Sequence, residues 1–317
     1  MDEASKSIEV QNKELVYETP SVLRYLASAA LDLFCTILFG FLFLLGGSLL
    51  LKSVPAYQNV AATQNSIRLE SRLYAQKGED LLSLSDYLSN AEQTRNEQIQ
   101  IYSDRLSYFY TVYLEDYPSL DGTKRFEEAK SKATSNNQSL FDRDGKRVLL
   151  SADYDEAYLS FYSNLYANDA LGCLASLPPY RATQQSLLRM RLTCMGLSFF
   201  LSSSIFYVVI PLSIARGKRS LGMLLSHVGY VDKTGLSPRW WIYLFMGLFR
   251  IVFILFASFI TFLIPLAISL GMVVLRRDRQ GLPEYLFGLY PVSCSRQRIY
   301  INKFESLNDN VKATRPL

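Results

Sequence analysis

The sequence predicts an all-α integral membrane protein: a small helical bundle of about four membrane segments, with a mainly helical soluble domain inserted after the first span. Three stretches, residues 22–51, 192–215 and 240–275, are almost uninterrupted apolar sequence, although the 317-residue chain is 49% hydrophobic on average. A membrane-spanning helix needs about 20 mostly apolar residues, and each stretch supplies them. The segment between the first two stretches has the composition of a soluble domain, which predicts a large insertion between two spans.

The apolar stretches divide the chain into predicted segments. These are a cytoplasmic N-terminal tail (1–21), transmembrane helix 1 (22–51), an extracellular domain (52–190), transmembrane helix 2 (191–215), a cytoplasmic connector (216–239), a membrane hairpin of segments 3 and 4 (240–275) and a cytoplasmic C-terminal tail (276–317). The first span is expected to remain uncleaved, because it is far longer than the apolar core of a signal peptide and no basic segment precedes it.

The charge distribution predicts the orientation of these segments. Acidic residues outnumber basic residues in 52–190, whereas arginine and lysine cluster in the connector and after the last apolar stretch. Because short loops rich in lysine and arginine remain in the cytoplasm, both basic clusters are expected inside and 52–190 outside. The protein is therefore expected to be a multi-pass protein of the cell membrane with both termini cytoplasmic.

The apolar stretch 240–275 is too long for one crossing. As a single helix it would measure about 54 Å, against a hydrocarbon core of about 30 Å. Two short crossings that meet near Ser258 to Thr261 return the chain to the cytoplasm, in agreement with the charge distribution. The alternative is an interfacial helix over 240–250 followed by one span, which would place the arginine-rich tail outside.

The inserted segment is expected to be mainly helical. Residues 66–117 have apolar spacing typical of helices, few helix breakers and oppositely charged neighbours four residues apart. The predicted breaks are Pro118 with Asp121-Gly122, and a loop over 135–150 that enters a small hairpin at Asp144-Gly145.

Four tyrosines of the insertion recur at four-residue steps and therefore form one helical stripe. They are Tyr154, Tyr158, Tyr162 and Tyr166. One interpretation is a helix face packed on a neighbouring helix. The other is an exposed binding face for a partner protein or a glycan, because tyrosine is enriched at interfaces.

The composition argues against catalysis and against a bound metal. His227 is the only histidine, and three of the four cysteines lie in or beside apolar stretches, so neither metal-ligand spacing nor a histidine-dependent catalytic triad is present. The sequence therefore predicts a protein that is not an enzyme, with no cofactor and no nucleic-acid partner.

Three motifs occur in order along the predicted membrane parts. Helix 1 begins with Arg24 and carries Asp32 inside, the connector reads GKRSLGMLLSHVGYVDKTGLSP, and RRDRQGLPEYLFGLYPV follows the last apolar stretch. In these motifs the sequence resembles the RDD family of bacterial membrane proteins, which is named for an arginine and two aspartates. The matching positions after helix 1 are Gly217, Ser220, Gly222, Met223, Asp232, Gly235, Arg279, Gln280, Gly281 and Gly288.

The resemblance has two departures. The usual His-Asp pair of the last motif is Pro283-Glu284, so the third name-giving residue is a glutamate. The large insertion is not part of the usual compact domain. The resemblance implies a location in the bacterial cytoplasmic membrane. It also implies transport as an activity to be considered, since sodium or lithium/proton antiport is associated with some members. Family membership alone does not define the activity.

Charged residues inside apolar stretches need partners, because an unpaired charge in the bilayer is costly. Arg24 is expected to reach the phosphates of the inner leaflet. Asp32 is expected to face the bundle interior, towards Arg250 or the serine face Ser202 to Ser204, either as a structural lock or as a proton or cation site. Glu284 is expected at the cytoplasmic surface, close to Arg24 or Arg216.

These features predict a non-enzymatic membrane scaffold or accessory subunit whose extracellular domain binds a partner. The expected partners are membrane lipids and either another membrane protein or further copies of the chain. The alternative is an oligomeric cation/proton-coupled transporter in which Asp32 exchanges the ion. A small bundle offers little room for an alternating-access path within one copy, which favours the scaffold.

Overall fold

The structure is a computed structural model of the 317-residue chain. It describes residues 7–9, 16–89, 93–135, 138–142, 144–149, 154–295 and 297–306. These residues are mostly helical, as predicted, with a few short strands.

Fourteen α-helices occur in the described residues. They are α1 (Val22–Ser53), α2 (Pro55–Glu70), α3 (Leu84–Ser89), α4 (Arg95–Thr111), α5 (Gly122–Lys132), α6 (Asp155–Leu165), α7 (Leu171–Ser176), α8 (Pro178–Ser204), α9 (Ile210–Ser213), α10 (Leu221–Leu225), α11 (Trp240–Phe249), α12 (Ala257–Ile260), α13 (Ile264–Leu275) and α14 (Leu282–Phe287). Three π-helical segments connect consecutive α-helices without a break. They are Tyr166–Ala170, Ile205–Val209 and Arg250–Phe256.

The strands form antiparallel pairs. They are β1 (Ser7–Glu9) with β2 (Val16–Glu18), β3 (Tyr74–Lys77) with β4 (Asp80–Ser83), β5 (Thr134–Ser135) with β6 (Gln138–Ser139), and β7 (Val228–Val231) with β8 (Tyr290–Ser293).

The chain folds as two compact units. Unit 1 contains Met1–Leu49 and Thr193–Leu317, and unit 2 contains Leu50–Leu192. The second unit corresponds closely to the predicted insertion over 52–190. Each unit has its own hydrophobic core.

Among the residues that the structure describes, two helices are long and apolar enough to cross a membrane, Val22–Ser53 and Pro178–Ser213. Large apolar side chains of the first are exposed, among them Phe34, Leu45 and Leu50 at 62%, 64% and 70% exposure. Apolar side chains exposed in such a continuous belt favour an apolar surrounding over water. The two helices therefore favour a membrane location.

The stretch 240–275 forms two helical runs separated by a turn. The first run continues from Trp240 through the π-helical segment to Ile260, so no break occurs at residue 250. The turn contains Phe262 and Leu263, both with positive φ, and α13 begins immediately after it with a proline in its first turn. The bend thus lies just after the position predicted from the sequence.

The pair β7–β8 joins the connector to the C-terminal segment of unit 1. Tyr230 pairs with Pro291 and Val228 pairs with Ser293. All four residues of β7 are buried. This sheet holds the segment that contains α10 next to the segment that contains α14, although about 60 residues of sequence separate them.

Unit 2 is built around α4 and α6, which pack against each other. A capping box begins α4, since Thr94 accepts from the N–H of Glu97 while the Glu97 carboxylate accepts from the N–H of Thr94. The predicted turn at Asp144-Gly145 is present: Gly145 has φ +73° and an isolated bridge joins Phe141 to Arg147.

One part of the helical prediction for unit 2 is wrong. Residues 74–83 form the hairpin β3–β4, in which Lys77 pairs with Asp80 across a two-residue turn. Gly78 takes φ +65° in that turn, a conformation that glycine adopts without a steric cost. The apolar spacing of this segment resembles that of a helix, but the glycine at the turn decides the local structure.

The tyrosine stripe of α6 is part of the core of unit 2. Tyr158, Tyr162 and Tyr166 are 1–2% exposed, and Tyr154 is partly buried beside them. The hydroxyl of Tyr162 lies 3.1 Å from Ser103 Oγ and donates to it, and that of Tyr166 donates to the carbonyl of Leu73 at 3.0 Å. The packing interpretation is therefore correct, and the stripe is not an exposed partner-binding face.

We predict that Tyr162→Ala lowers the free energy of unfolding by about 3–5 kcal/mol, because it removes a fully buried ring and leaves a cavity. Tyr162→Phe keeps the ring and loses only the hydrogen bond to Ser103, so its cost should be about 1 kcal/mol. Thermal unfolding followed by circular dichroism, with hydrogen exchange of α4 and α6, measures both. Equal effects of the two substitutions would contradict the assignment of Tyr162 to the core.

We also predict that unit 2 loses stability in alkali. Burial, as the main cause, raises the pKa of Tyr113 and that of Tyr166 from 10.0 to about 12. Unfolding restores the ordinary pKa, so the contribution of these phenols is fully present below about pH 10 and is lost as the pH rises towards 12. Hydrogen exchange or circular dichroism across this range measures the loss, and Tyr166→Phe should reduce its dependence on pH.

Candidate functional site

The candidate site lies in unit 1, where α1, the connector and the last helices meet. A cavity of about 380 Å³ opens between α1 and α13. Its polar lining includes Asp32, Arg250 and Glu284, and its apolar lining includes Leu33 and Leu270. A pocket of this kind, with apolar walls and a few convergent polar groups, is typical of ligand sites.

Asp32 is buried and accepts hydrogen bonds on both carboxylate oxygens. The Ser220 hydroxyl donates to Oδ2, and the backbone N–H of Gly222 donates to Oδ1 at 2.8 Å. Ser220 is also the N-cap of α10, where its Oγ accepts from the N–H of Met223 at 3.3 Å. Two donors on two oxygens fit the ionised carboxylate. Asp32 therefore fastens the start of α10 to the first third of α1.

The close approach of α10 to α1 requires a glycine at position 222. A Cβ atom there would lie 2.1 Å from the carbonyl oxygen of Ser28 and 3.1 Å from Cγ of Asp32. The backbone carbonyl cannot move without displacing α1. Gly222 thus allows its N–H to reach Asp32, which is the physical reason for a glycine at this position of the connector.

Neither expected partner of Asp32 forms a hydrogen bond with it. The Ser202 hydroxyl donates to the carbonyl oxygen of Thr36 at 2.7 Å, one turn further along α1. The Ser203 hydroxyl donates within its own helix to Phe199. Arg250 pairs with Glu284 instead. The burial of Asp32 agrees with the expectation that it faces the interior, but its partners come from the connector.

A second polar cluster surrounds Glu284. The Arg250 guanidinium pairs with Glu284 Oε1 and donates to the Tyr230 hydroxyl at 2.8 Å. The hydroxyls of Tyr230 and Tyr25 donate to the same Oε1 at 2.9 and 3.0 Å. Burial raises the pKa of Tyr230 well above its ordinary value, so this phenol remains a donor. The four side chains form one buried network with Glu284 at its centre.

The expectation that Glu284 meets Arg24 or Arg216 is wrong. Glu284 is 2% exposed and lies beneath the surface, because α14 folds back onto α11. Arg24 is exposed. Arg216 donates to Glu305 at 2.7 Å. The motif residues therefore do not form one charged surface cluster, and the partly buried arginine that pairs with Glu284 comes from outside all three motifs.

The remaining glycine and aspartate positions of the connector shape its turns. Asp232 Oδ1 accepts from the N–H groups of Thr234 and Leu236 at 2.8 and 3.1 Å, and Gly235 takes φ +76° in the same turn. Gly217 takes φ +74°, and its carbonyl accepts from the N–H of Tyr230 at 2.8 Å. These residues direct β7 towards the site.

The last motif ends α13 and begins α14. Arg279 Nη1 donates to the carbonyl of Val274 at 2.8 Å and so satisfies the C-terminus of α13. Gln280 is buried and donates to the carbonyl of Leu289 at 2.8 Å. Gly281 is the N-cap of α14, and Gly288 ends that helix with φ +63°. The motif places Glu284 in the first turn of α14.

Sequence reasoning missed both tyrosines of the Glu284 network. A signal was nevertheless present in α1, whose buried residues recur at steps of three or four along an otherwise apolar helix. They are Tyr25, Ser28, Asp32, Thr36 and Gly40. This stripe of polar and small residues marks the face that packs inside the bundle.

The comparisons with known proteins provide no relative for this chain. No protein-family model matches it, and neither a curated protein nor a solved structure does. The assignment of the site therefore depends on its geometry.

The acidic and basic groups of the site are unequal in number. Two carboxyl groups, Asp32 and Glu284, line the cavity together with one guanidinium, Arg250. Such a cavity attracts a cation more readily than an anion. Within the described residues, no group of three or more histidine, cysteine, aspartate or glutamate side chains has the geometry to hold a metal ion.

We predict that Gly222→Ala separates α10 from α1 and lowers the free energy of unfolding by about 1–3 kcal/mol, as overpacking does. Gly271→Ala is the matched control, because a Cβ atom there meets nothing within 4 Å. In the middle of α13 it should be neutral or stabilising by about 0.5–1 kcal/mol. Thermal unfolding in detergent compares the two. A Gly222→Ala protein as stable as the control would refute the close contact.

We predict that Glu284→Leu costs about 3–5 kcal/mol, because it leaves the largely buried Arg250 guanidinium without its counter-charge. The double variant Arg250→Leu with Glu284→Leu should recover much of this loss, since both charges are then absent. Unfolding free energies of the two single variants and the double variant complete the cycle. Additive losses would show that the two side chains are not coupled.

Proposed function

We propose that the chain is a bacterial membrane protein related to the RDD family, and that it acts as a non-enzymatic scaffold or accessory subunit of a membrane complex. The observation that carries this proposal is the internal pairing of the motif residues. Asp32 binds Ser220 and Gly222, and Glu284 binds Arg250, so these polar groups fasten the segments of unit 1 to one another.

The proposed topology has four crossings. The long apolar helices Val22–Ser53 and Pro178–Ser213 supply two, and the helical runs on either side of the turn at 261–263 supply two shorter ones. The basic connector and the basic C-terminal segment then lie in the cytoplasm, and unit 2 lies outside. Both termini are cytoplasmic in this arrangement.

The partners that we propose are those that suit the surface of α1 and the fold of unit 2. The exposed apolar side chains of α1 suit contact with lipid and with the apolar helices of another membrane protein or a second copy. Unit 2 has a well-packed core of its own, which suits a rigid recognition domain outside the membrane.

Affinity purification from native membranes in mild detergent tests the scaffold. We expect a stoichiometric membrane-protein partner or a homo-oligomer, identified by mass spectrometry and by native mass. A chain with unit 2 (Leu50–Leu192) replaced by a short flexible linker should lose an outside partner but keep a partner that binds unit 1. A lone monomer from native membranes would contradict the proposal.

A second candidate is an oligomeric cation/proton-coupled transporter. The cavity favours it, because Asp32 and Glu284 line one space that opens between two apolar helices and holds more carboxyl groups than guanidinium groups. In this proposal the cation competes with Ser220 and Gly222 for the carboxylate of Asp32.

Everted membrane vesicles that contain the protein test this candidate. Addition of sodium or lithium should dissipate a preformed pH gradient, and Asp32→Asn should abolish the response. Glu305→Gln is the control, because Glu305 pairs with Arg216 and does not line the cavity. A response in Asp32→Asn equal to that of the unaltered protein would remove Asp32 from the mechanism.

A further inference from the structure

A second cavity of about 380 Å³ lies on unit 2, where α2 ends and β3 begins. Its volume falls within the range of small-molecule sites, about 300–1,000 Å³. Arg72 and Arg105 both line it, and its lining contains no acidic residue. The other lining residues are Leu69, Tyr74, Ala75 and Gln76.

Both guanidinium groups are held in place by their neighbours. Arg72 lies over the ring of Tyr108, with 3.7 Å from its guanidinium carbon to the ring centroid. Arg105 donates through Nη1 to the carbonyl oxygens of Arg72 and Tyr74, at 3.4 and 3.3 Å. Because these contacts restrict the two long side chains in advance, a ligand loses less affinity in ordering them.

The positive charge of this cavity is not neutralised. Among the described residues, no carboxylate lies within 4.0 Å of the guanidinium of Arg72 or Arg105. Asp104, next to Arg105 in sequence, accepts from Gln100 Nε2 at 3.0 Å. Burial, with a contribution from the charge of Arg72, lowers the pKa of Arg105. Two like charges at one cavity favour an anionic occupant.

We propose that Arg72 and Arg105 form a binding site for a phosphate-bearing ligand on unit 2. A guanidinium presents paired N–H donors that match two oxygens of a phosphate, so two such groups can hold one phosphate from two sides. The N–H groups of Arg105 other than those on Nη1 have no acceptor among the described residues, and they remain available to the phosphate. The rest of the cavity, beside Tyr74 and Leu69, accommodates the organic part of the ligand.

This site goes beyond the proposed function, because it needs neither a protein partner nor a cation at the cavity of unit 1. The two proposals also fail separately. A monomer on purification contradicts the scaffold and leaves phosphate binding intact, whereas a chain that binds no phosphate contradicts the site alone.

The experiment measures the thermal unfolding midpoint of the full chain in detergent, titrated with each of three probes. They are inorganic phosphate, glycerol 3-phosphate and a short-chain phosphatidylglycerol below its micellar concentration. Binding to the folded state raises the midpoint as the probe concentration exceeds the dissociation constant. A response to glycerol 3-phosphate assigns a soluble phosphate ester, and a response only to the phosphatidylglycerol assigns a lipid headgroup. Inorganic phosphate is expected to bind more weakly than either.

Two variants connect the response to the site. Arg72→Gln should weaken the apparent affinity about tenfold or more, because it removes a charged hydrogen-bonding group. Arg105→Lys keeps the charge but loses the forked donors, so it should also weaken binding while the fold is retained.

Arg95→Gln is the matched control, because it removes one positive charge from the same unit at an exposed ion pair with Glu156 that does not line the cavity. It should leave the affinity unchanged within about twofold, because Arg95 does not line the cavity. The fold should also be unaffected, since an exposed ion pair contributes little to stability. The proposal is overturned if none of the probes shifts the midpoint. It is also overturned if Arg72→Gln and Arg95→Gln behave alike.

Discussion

The hydrogen bonds of Asp32 to Ser220 and Gly222 are the contact on which the arrangement of unit 1 depends. They join the first third of an apolar helix to the start of a helix of five residues, which is too short to be stable by itself. A carboxylate in an apolar environment needs such donors, and the connector needs a fixed point of attachment. The connector supplies the donors for the carboxylate, and the carboxylate attaches the connector to α1. A glycine at position 222 makes this close approach sterically possible.

The Glu284 network, at a different place in unit 1, also satisfies a buried carboxylate with groups from other segments of the chain. Arg250 and Glu284 neutralise each other, and two tyrosine hydroxyls satisfy the carboxylate further. Replacing a whole buried ion pair with apolar residues is often neutral for stability, whereas removing one partner leaves an uncompensated buried charge. Asp32 and Glu284 together fix α10 and α14, which flank the cavity, and give it two carboxyl groups beside one guanidinium.

Unit 2 is stabilised in a different way, by tyrosines that combine burial with hydrogen bonding. The rings of Tyr158, Tyr162 and Tyr166 fill the core, while the hydroxyls of Tyr162 and Tyr166 reach Ser103 and the backbone of Leu73. Tyrosine can serve both purposes because its polar group lies at the end of a large apolar ring. On the surface, other tyrosines orient arginines, as Tyr108 does for Arg72, and so prepare the cavity proposed to bind phosphate.

The sequence by itself determined the helical class, the long apolar helices, the bend near residue 261 and the extent of unit 2, because hydrophobic length and periodicity are local properties. It also identified Asp32, inside an apolar stretch, and Glu284, after the end of the last one, as acidic residues that need partners. Only the tertiary structure decided which partners they have. Ser220 and Gly222 lie about 190 residues from Asp32, and no spacing rule connects them. The choice between a tyrosine core and a tyrosine surface likewise depended on which helix packs against α6, since the same four-residue stripe suits both.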